Sequence, residues 1–414
     1  NDVFVVPDGV TAIADGAFRG ESWIETLTLP ASLTSVGREA FRGMECLATV
    51  TFNGTMGKLT IGAYAFYEAG NLETVEFKDG LDVVIGEYAF AETNDLTNLS
   101  LGGTTVIGAH AFENAACYSS VVLTIPETLV SIGDYAFSRD AALTTVATLP
   151  QVESIGGYAF LECSQMAGFT FAPSLQSVGE SAFAGSGLTS ADMSGCTSLS
   201  VVGAWAFADN GSLREVKMPS TVTSLGEGAF FYSSALQQVA LPEGLVKINE
   251  YTFMGGKAVA TVTLPEGLKE IGDYAFSDWT TVREIIIPST VEYIGDRAMR
   301  NWDSLAELTS NAVTPPELGD NVWENVDYEK ANLTVPAAGE MAYRLAEQWQ
   351  DFFKSSSAKP LAAENLRVAV DGDVVTITSD EEISTVQLFD MSGILLQSAA
   401  PRSQQFSLTL SGYS

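Results

Sequence analysis

Apolar and polar residues recur along this chain in a two-part unit of about 23 residues. The first part is a hexapeptide of the form I-G-x-x-A-F, as in residues 61–66, 85–90 and 132–137. The second part follows about six residues later and has the form L-x-x-V-x-L-P, as in residues 213–219. Thirteen copies are marked by one large apolar residue each: Phe18, Phe41, Phe66, Phe90, Phe112, Phe137, Phe160, Phe183, Phe207, Phe230, Phe253, Phe276 and Met299.

The second part predicts a short strand, because its apolar residues alternate with Thr, Ser and charged residues. The Pro that follows, as at Pro242, Pro265 and Pro288, predicts a turn. A single unit is too small to bury its own apolar residues, so neighbouring units must stack with their strands in parallel, about 4.8 Å apart. The pattern therefore predicts a solenoid.

The hexapeptide predicts the turn that connects successive strands. Its first residue should point into the core, and its Gly should adopt a backbone conformation that residues with a Cβ resist. We expect Ala-Phe to open a short helical turn, with the Phe ring filling the core.

These two motifs, repeated in tandem over residues 1 to about 353, resemble the BspA-type leucine-rich repeats of bacterial secreted and surface proteins. The resemblance implies an α/β repeat solenoid, right-handed, with a parallel sheet and short helical turns. It also implies a role in adhesion or protein binding, and no catalytic activity.

Composition divides the chain into four segments. Residues 1–310 form the solenoid of about 13 repeats, and residues 311–354 depart from the repeat and resemble the family's usual C-terminal cap. Residues 355–360 read as a linker. Residues 361–414 predict a small β-sandwich, with hairpins at 366–378 and 386–397 and a fifth strand at 406–410. Its V-Q-L-F-D-M-S-G-I-L-L run is similar to type IX secretion sorting tails, and an Ig-like spacer is the alternative.

The charge of the chain restricts its partners. With 52 Asp and Glu against 20 Lys and Arg, the formal net charge is −32. This balance excludes binding to a nucleic-acid backbone and disfavours an anionic membrane surface. No apolar run approaches the length of a membrane span. We expect a monomer that is secreted or held on the outer surface of a bacterium, its signal peptide removed, with no cofactor.

The exposed positions of the predicted strands form the candidate binding face. In a stacked solenoid these side chains line one open sheet surface, which is the usual place for recognition, although Thr also simply suits exposed strand positions. The face consists of Thr26, Thr28, Thr49, Thr51, Thr74, Ser100, Thr170, Ser190, Lys217, Gln238, Thr261 and Thr263, and the same positions include Glu76, Asn98, Gly168, Asp192, Glu215, Glu284 and Ile286.

A second candidate surface is an aromatic ladder two residues before each Phe. It can stack on sugar rings, which makes a glycan-binding module the alternative function; equally, its flat side chains can simply cover one another. Its members are Tyr64, Tyr88, His110, Tyr135, Tyr158, Trp205, Tyr251 and Tyr274. Because the chain's single histidine, His110, sits within this ladder, we do not expect it to act in catalysis.

At the hexapeptide position directly before the aromatic ladder, eight copies of the repeat carry a carboxylate. We expect these groups to accept hydrogen bonds from the N–H groups of the Ala-Phe turn, and bridging by calcium is a further possibility. The carboxylates are Asp15, Glu87, Asp134, Glu180, Glu227, Glu250, Asp273 and Asp296.

We expect Cys46, Cys117, Cys163 and Cys196 to be free thiols in small buried sites, with no metal bound.

The sequence thus predicts a non-enzymatic, exported or cell-surface protein. Its partner is expected to be a protein of the host matrix or of a bacterial surface, bound through the strand face. The glycan-binding module remains the alternative.

Overall fold

A computed structural model describes residues 2–116, 121–147, 151–354, 366–371, 374–383, 385–389 and 395–409. Its main body is a solenoid of about 14 turns whose strands form two parallel ladders. The predicted parallel-sheet solenoid is thereby confirmed.

The first ladder, here called the strand face, contains the L-x-x-V-x-L-P segments. Its central apolar residues point inward, and the residues on either side of them point to solvent, as the alternating pattern predicts. Pairing within it is interrupted, so that it forms one sheet of five strands and three sheets of three. Its strands are Val3–Val5, Thr26–Leu29, Thr49–Phe52, Thr74–Glu76, Asn98–Ser100, Val121–Thr124, Leu143–Ala147, Gly168–Phe169, Ser190–Asp192, Glu215–Lys217, Gln238–Ala240, Glu284–Ile287, Glu307–Ser310 and Asn332–Thr334.

The second ladder, here called the corner ladder, contains the residues that lead into each hexapeptide Gly. It forms one sheet of ten strands and one of four. Its strands are Ala12–Ile13, Ser35–Val36, Gly57–Ile61, Leu81–Ile85, Thr104–Ile107, Ser131–Ile132, Ser154–Ile155, Ser177–Val178, Val201–Val202, Ser224–Leu225, Lys247–Ile248, Glu270–Ile271, Tyr293–Ile294 and Glu317–Leu318.

The segments predicted as short helical turns are hydrogen-bonded turns instead. Ala65 N–H donates to Gly62 O three residues earlier, and Phe66 N–H donates to Ala89 O of the next coil. A left-handed residue two positions before the Phe, such as Tyr64 at φ 58°, stops the turn from becoming a helix. Within the described residues, the helices are Glu340–Leu345 and Asp351–Lys354.

The hexapeptide Gly is required for a reason different from the one predicted. At Gly203 the backbone is not left-handed, but a Cβ there would lie 2.6 Å from the backbone carbon of Gly179 in the preceding coil. Close approach of coils, and not backbone conformation, therefore disfavours a side chain at Gly203. A later coil accommodates one at the equivalent position, where the Asn249 amide donates to Leu225 O of the preceding coil at 2.6 Å.

The Phe residues form a continuous column in the core. Phe112 lies between Phe90 at 5.2 Å and Phe137 at 5.3 Å between ring centroids, with the rings nearly parallel. All three side chains are buried. Stacking of this kind adds to the burial energy of each ring.

A fourteenth turn follows the thirteen counted from the sequence. Leu318-Gly319-Asp320-Asn321-Val322-Trp323 repeats the hexapeptide with Val and Trp in place of Ala and Phe, and Trp323 is buried. The chain then closes this turn with a side chain: Val322 N–H donates to Gln348 Oε1 at 2.8 Å, and Gln348 Nε2 donates to Gly319 O at 2.6 Å.

The C-terminal region is antiparallel β structure, as predicted. Val374–Ile383 pairs with Leu366–Asp371 on one side and with Ser403–Thr409 on the other. Val386–Phe389 pairs with Leu395–Ala399. The last strand begins three residues earlier than expected.

The cysteines are only partly as predicted. Cys46, Cys163 and Cys196 are free thiols, and Cys163 and Cys196 are buried, where burial raises the pKa of Cys196 to about 11. Cys46 is exposed, because Met44 takes the buried position of that turn. Cys117 lies outside the described residues.

Candidate functional site

Most of the predicted binding residues are aligned in rows along the strand face, whereas Thr170 and Thr263 lie outside its strands. Thr26 pairs in register with Thr49, and Thr49 with Thr74. The neighbouring row runs from Thr28 to Thr51. All of the predicted face residues are half-buried or exposed.

Charge is distributed unevenly along this face. From Thr26 to Thr170 the predicted positions are uncharged except for Glu76, whose carboxylate pairs with Lys78. From Asp192 onward charged residues appear: Lys217 lies 3.0 Å from Glu215 and 3.7 Å from Asp192. These two ion pairs make Lys217 part of a surface network.

Cavities open on the strand face where the ladder is interrupted. One of about 570 Å³ lies between residues 99–103 and 122–128, at the break between the first two sheets. Another of about 310 Å³ lies between residues 261–266 and 284–288. At the second, the pairing expected of a strand is reduced to a single bridge between Thr261 and Glu284.

The predicted aromatic ladder is divided into two stacks. Five rings form the first stack, with centroids 4.2 to 4.8 Å apart and planes within 10° of parallel: Tyr64, Tyr88, His110, Tyr135 and Tyr158. Tyr251 and Tyr274 form the second at 5.2 Å, and Trp205 is stacked more loosely on Tyr251 at 6.3 Å and 28°. Ser181 and Gly228 occupy the intervening positions, and the Trp205 ring lies over Gly228.

The stacking leaves few open ring faces. His110 is covered by Tyr88 at 4.2 Å and by Tyr135 at 4.5 Å, and the Arg38 guanidinium lies 4.8 Å from the Tyr64 ring. A sugar that stacks on an aromatic side chain needs a free face. The interior rings therefore present only their edges and hydroxyl groups.

His110 has a structural environment. Its Nδ1 lies 2.7 Å from Glu113 Oε2, and its ring is held between two tyrosines. Among the described residues, no group of three His, Cys, Asp or Glu side chains could hold a metal ion.

The four aspartates before the Ala-Phe turn bind the next coil, not their own turn, whereas none of the four glutamates makes this bond within the described residues. Asp15 Oδ1 accepts from Arg38 N–H at 2.8 Å, and Asp134 Oδ1 accepts from Gly157 N–H at 2.8 Å. Asp273 and Asp296 make the same bond to Asp296 and Asp320. These side chains stabilise the stacking of coils.

Asp140 is a buried carboxyl that the repeat pattern does not predict. It sits three residues after Phe137 and accepts hydrogen bonds from Ala115 N–H at 2.6 Å and Ala116 N–H at 3.0 Å. Burial raises the pKa of Asp140 well above its usual range; the two N–H groups oppose this rise, and Glu113 adds to it. Asn210 occupies the equivalent position after Phe207, and its amide donates to Phe183 O at 2.7 Å.

We expect Asp140→Asn to stabilise the solenoid at alkaline pH. Because the folded-state pKa lies above the ordinary value of 3.8, the folded chain keeps a proton that the unfolded chain releases. The stability linked to this proton is present below the unfolded pKa and is lost as pH rises through the folded pKa. Thermal melts at about pH 4 and pH 8 should show a higher Tm for the variant mainly at pH 8.

The exposed Glu153→Gln provides the control for this comparison, because its side chain is in solvent. Its Tm should follow that of the unchanged protein at both pH values. A gain for Asp140→Asn that is the same at pH 4 and pH 8 would mean that the buried carboxyl does not carry the pH dependence.

The repeat matches a known protein family. Residues 2–118, 83–210 and 200–329 match the family described as BspA type Leucine rich repeat region, in six copies. The match ends before the C-terminal region and gives no support to the resemblance with sorting tails. No curated protein matches the chain.

One solved structure has the same fold, and two others are less similar. A leucine-rich repeat protein from Bacteroides ovatus is 19% identical, with a TM-score of 0.56 over 81% of this chain and 92% of that one. A leucine-rich cell surface protein from Faecalibacterium prausnitzii is 21% identical, with a TM-score of 0.41 over 74% and 86% of the two chains. The pneumococcal vaccine antigen PcpA is 15% identical, with a TM-score of 0.39 over 86% of each chain.

Proposed function

The chain belongs to the BspA-type leucine-rich repeat family, and on that premise we propose that it is a non-enzymatic protein of the bacterial exterior that binds another protein through its strand face. The observation that carries the proposal is the in-register array of solvent-facing Thr, Ser and Gln side chains along the strand face. A flat, repeating surface of this kind offers many weak contacts that add up over an extended partner.

Two further observations support binding over catalysis. His110 is stacked between tyrosines, and the aspartates of the hexapeptide bind backbone N–H groups of neighbouring coils. In the part of the chain that the structure describes, no helix is long and apolar enough to cross a bilayer. A partner from the host matrix or from another bacterial surface fits this arrangement.

Substitution across the face tests the proposal. We expect Thr51→Arg, Thr170→Arg, Gln238→Arg and Thr261→Arg together to reduce capture of protein at least tenfold, because long charged side chains would block close contact. The measurement is capture by the immobilised full chain from purified matrix proteins and from solubilised bacterial surface proteins, with the Tm of each variant recorded.

A charge-matched control distinguishes the face from the net charge. The control carries four arginines at exposed positions next to the corner ladder, replacing Thr34, Gln176, Ser200 and Thr223. It should capture protein as the unchanged chain does. Equal loss in both variants, or no capture by the unchanged chain from either source, would refute binding through the strand face.

A further inference from the structure

A recess on the strand face, between residues 261–266 and 284–288, combines an apolar floor with an acidic rim. Its volume is about 310 Å³. Val262, Leu264 and Ile285 are buried and form the floor, and Ile286, which also lines the recess, is 47% exposed. We call it the Ile286 recess.

The recess exists because one coil does not complete its strand. Gln238–Ala240 pairs only with the preceding strand, and the next coil contributes only the bridge from Thr261 to Glu284. The full ladder resumes at Glu284–Ile287. Where pairing is missing, the coils separate at the surface, and the apolar residues beneath become accessible.

The rim of the recess carries negative charge without a matching cation. Glu266 and Glu284 line it, and Glu307 lies in register beside Glu284 on the next strand. Among the described residues, Glu266 and Glu284 form no ion pair, and no Lys or Arg lines the cavity. This contrasts with Glu215 and Glu270, which pair with Lys217 and Lys247.

We propose that the Ile286 recess anchors an extended, basic segment of the protein partner, with one aliphatic side chain in the recess and a Lys or Arg on either side of it. This rests on the proposed function and specifies the partner's chemistry. In an extended segment, every second side chain points the same way, and these side chains lie about 7 Å apart. A basic, an aliphatic and a basic residue at three alternate positions therefore face one surface. The aliphatic group covers Ile286, and the flanking cations meet Glu266 and Glu284.

The test uses the full chain and a fluorescein-labelled peptide, Thr-Lys-Thr-Leu-Thr-Lys-Thr, followed by fluorescence anisotropy. We expect saturable binding with Kd below about 1 mM that weakens as salt is raised, since the contacts include unscreened surface charges. The Glu266→Gln, Glu284→Gln double variant should bind at least tenfold more weakly. Ile286→Thr should weaken binding about fivefold, corresponding to about 1 kcal/mol at 1.4 kcal/mol per tenfold.

Matched controls assign the effect to the recess. Glu215→Gln removes one carboxylate from the same face three coils away, beyond the range of screened charges, and should change Kd less than twofold. A peptide with Glu in place of both Lys should not bind, and one with Thr in place of Leu should bind at least fivefold more weakly. Thr309 stands in register with Ile286, so Thr at this position is compatible with the fold.

Two outcomes would overturn the proposal: no binding of the basic peptide up to 1 mM, or equal binding by the double variant at unchanged Tm. If the four-arginine face variant nevertheless loses capture, protein binding through the face stands and only the recess is wrong. If the peptide binds but the face variant captures normally, the proposed function itself fails.

Discussion

Phe160→Ala is expected to lower the free energy of unfolding by about 3–5 kcal/mol. The Phe160 ring is fully buried in the central column, with Phe137 at 5.4 Å and Phe183 at 5.3 Å between centroids. Removing the ring leaves a cavity in the core and separates the stacked rings of Phe137 and Phe183. Urea unfolding followed by near-ultraviolet circular dichroism measures the change.

Phe160→Leu is the matched control for this loss. Leucine keeps most of the buried volume, so we expect a cost of at most about 1.5 kcal/mol. If both variants unfold at the same urea concentration as the unchanged chain, the Phe column does not support the solenoid.

Gly203→Ala is expected to be nearly as damaging, at about 3 kcal/mol, although it adds only a methyl group. The new Cβ would lie 2.6 Å from the backbone carbon and 2.7 Å from the carbonyl oxygen of Gly179. Backbone atoms held by hydrogen bonds between coils move aside less readily than a flexible side chain does. Unfolding in urea, compared with the unchanged chain, measures the effect.

Gly195→Ala supplies the control from the same coil. A Cβ at Gly195 would meet nothing within 4 Å, and its backbone is not left-handed. We expect a change within about 1 kcal/mol, and in the stabilising direction, since alanine restricts the unfolded chain. Equal destabilisation by the two variants would mean that close packing of coils does not explain the hexapeptide Gly.

The core was predictable from the sequence because core packing fixes both the period and the identity of the buried residues. Phe112 and Ile132, for example, occupy the positions that the hexapeptide assigns to them. The fourteenth turn was missed because Val322 and Trp323 replace Ala and Phe there. The spacing of Leu318 from Ile294 was the signal that could have found it.

Features that depend on contacts between coils were not predictable in the same way. The role of Gly203 and the hydrogen bond from Gly157 N–H to Asp134 both join residues about 23 positions apart, and no local pattern reveals them. The turns were expected to be helical because a left-handed Tyr64 is unusual for a residue with a Cβ.

The residues of the candidate binding face were predictable from the sequence, but the cavities on that face were not. The alternation of Thr with apolar residues placed Thr26, Thr28 and Thr261 on the open face. The interruptions of the ladder depend on how successive coils are oriented, so the Ile286 recess appears only in the structure. Its one sequence signal is Ile286 itself, the only aliphatic residue among the predicted face positions.

Hydrogen–deuterium exchange of the full chain, alone and with its captured partner, tests binding through the strand face most directly. If the strand face binds the partner, exchange should slow in the face strands, including Glu284–Ile287, with no change in corner-ladder strands such as Ser177–Val178. Slower exchange confined to the corner ladder and the aromatic stacks, with the face strands unchanged, would contradict it.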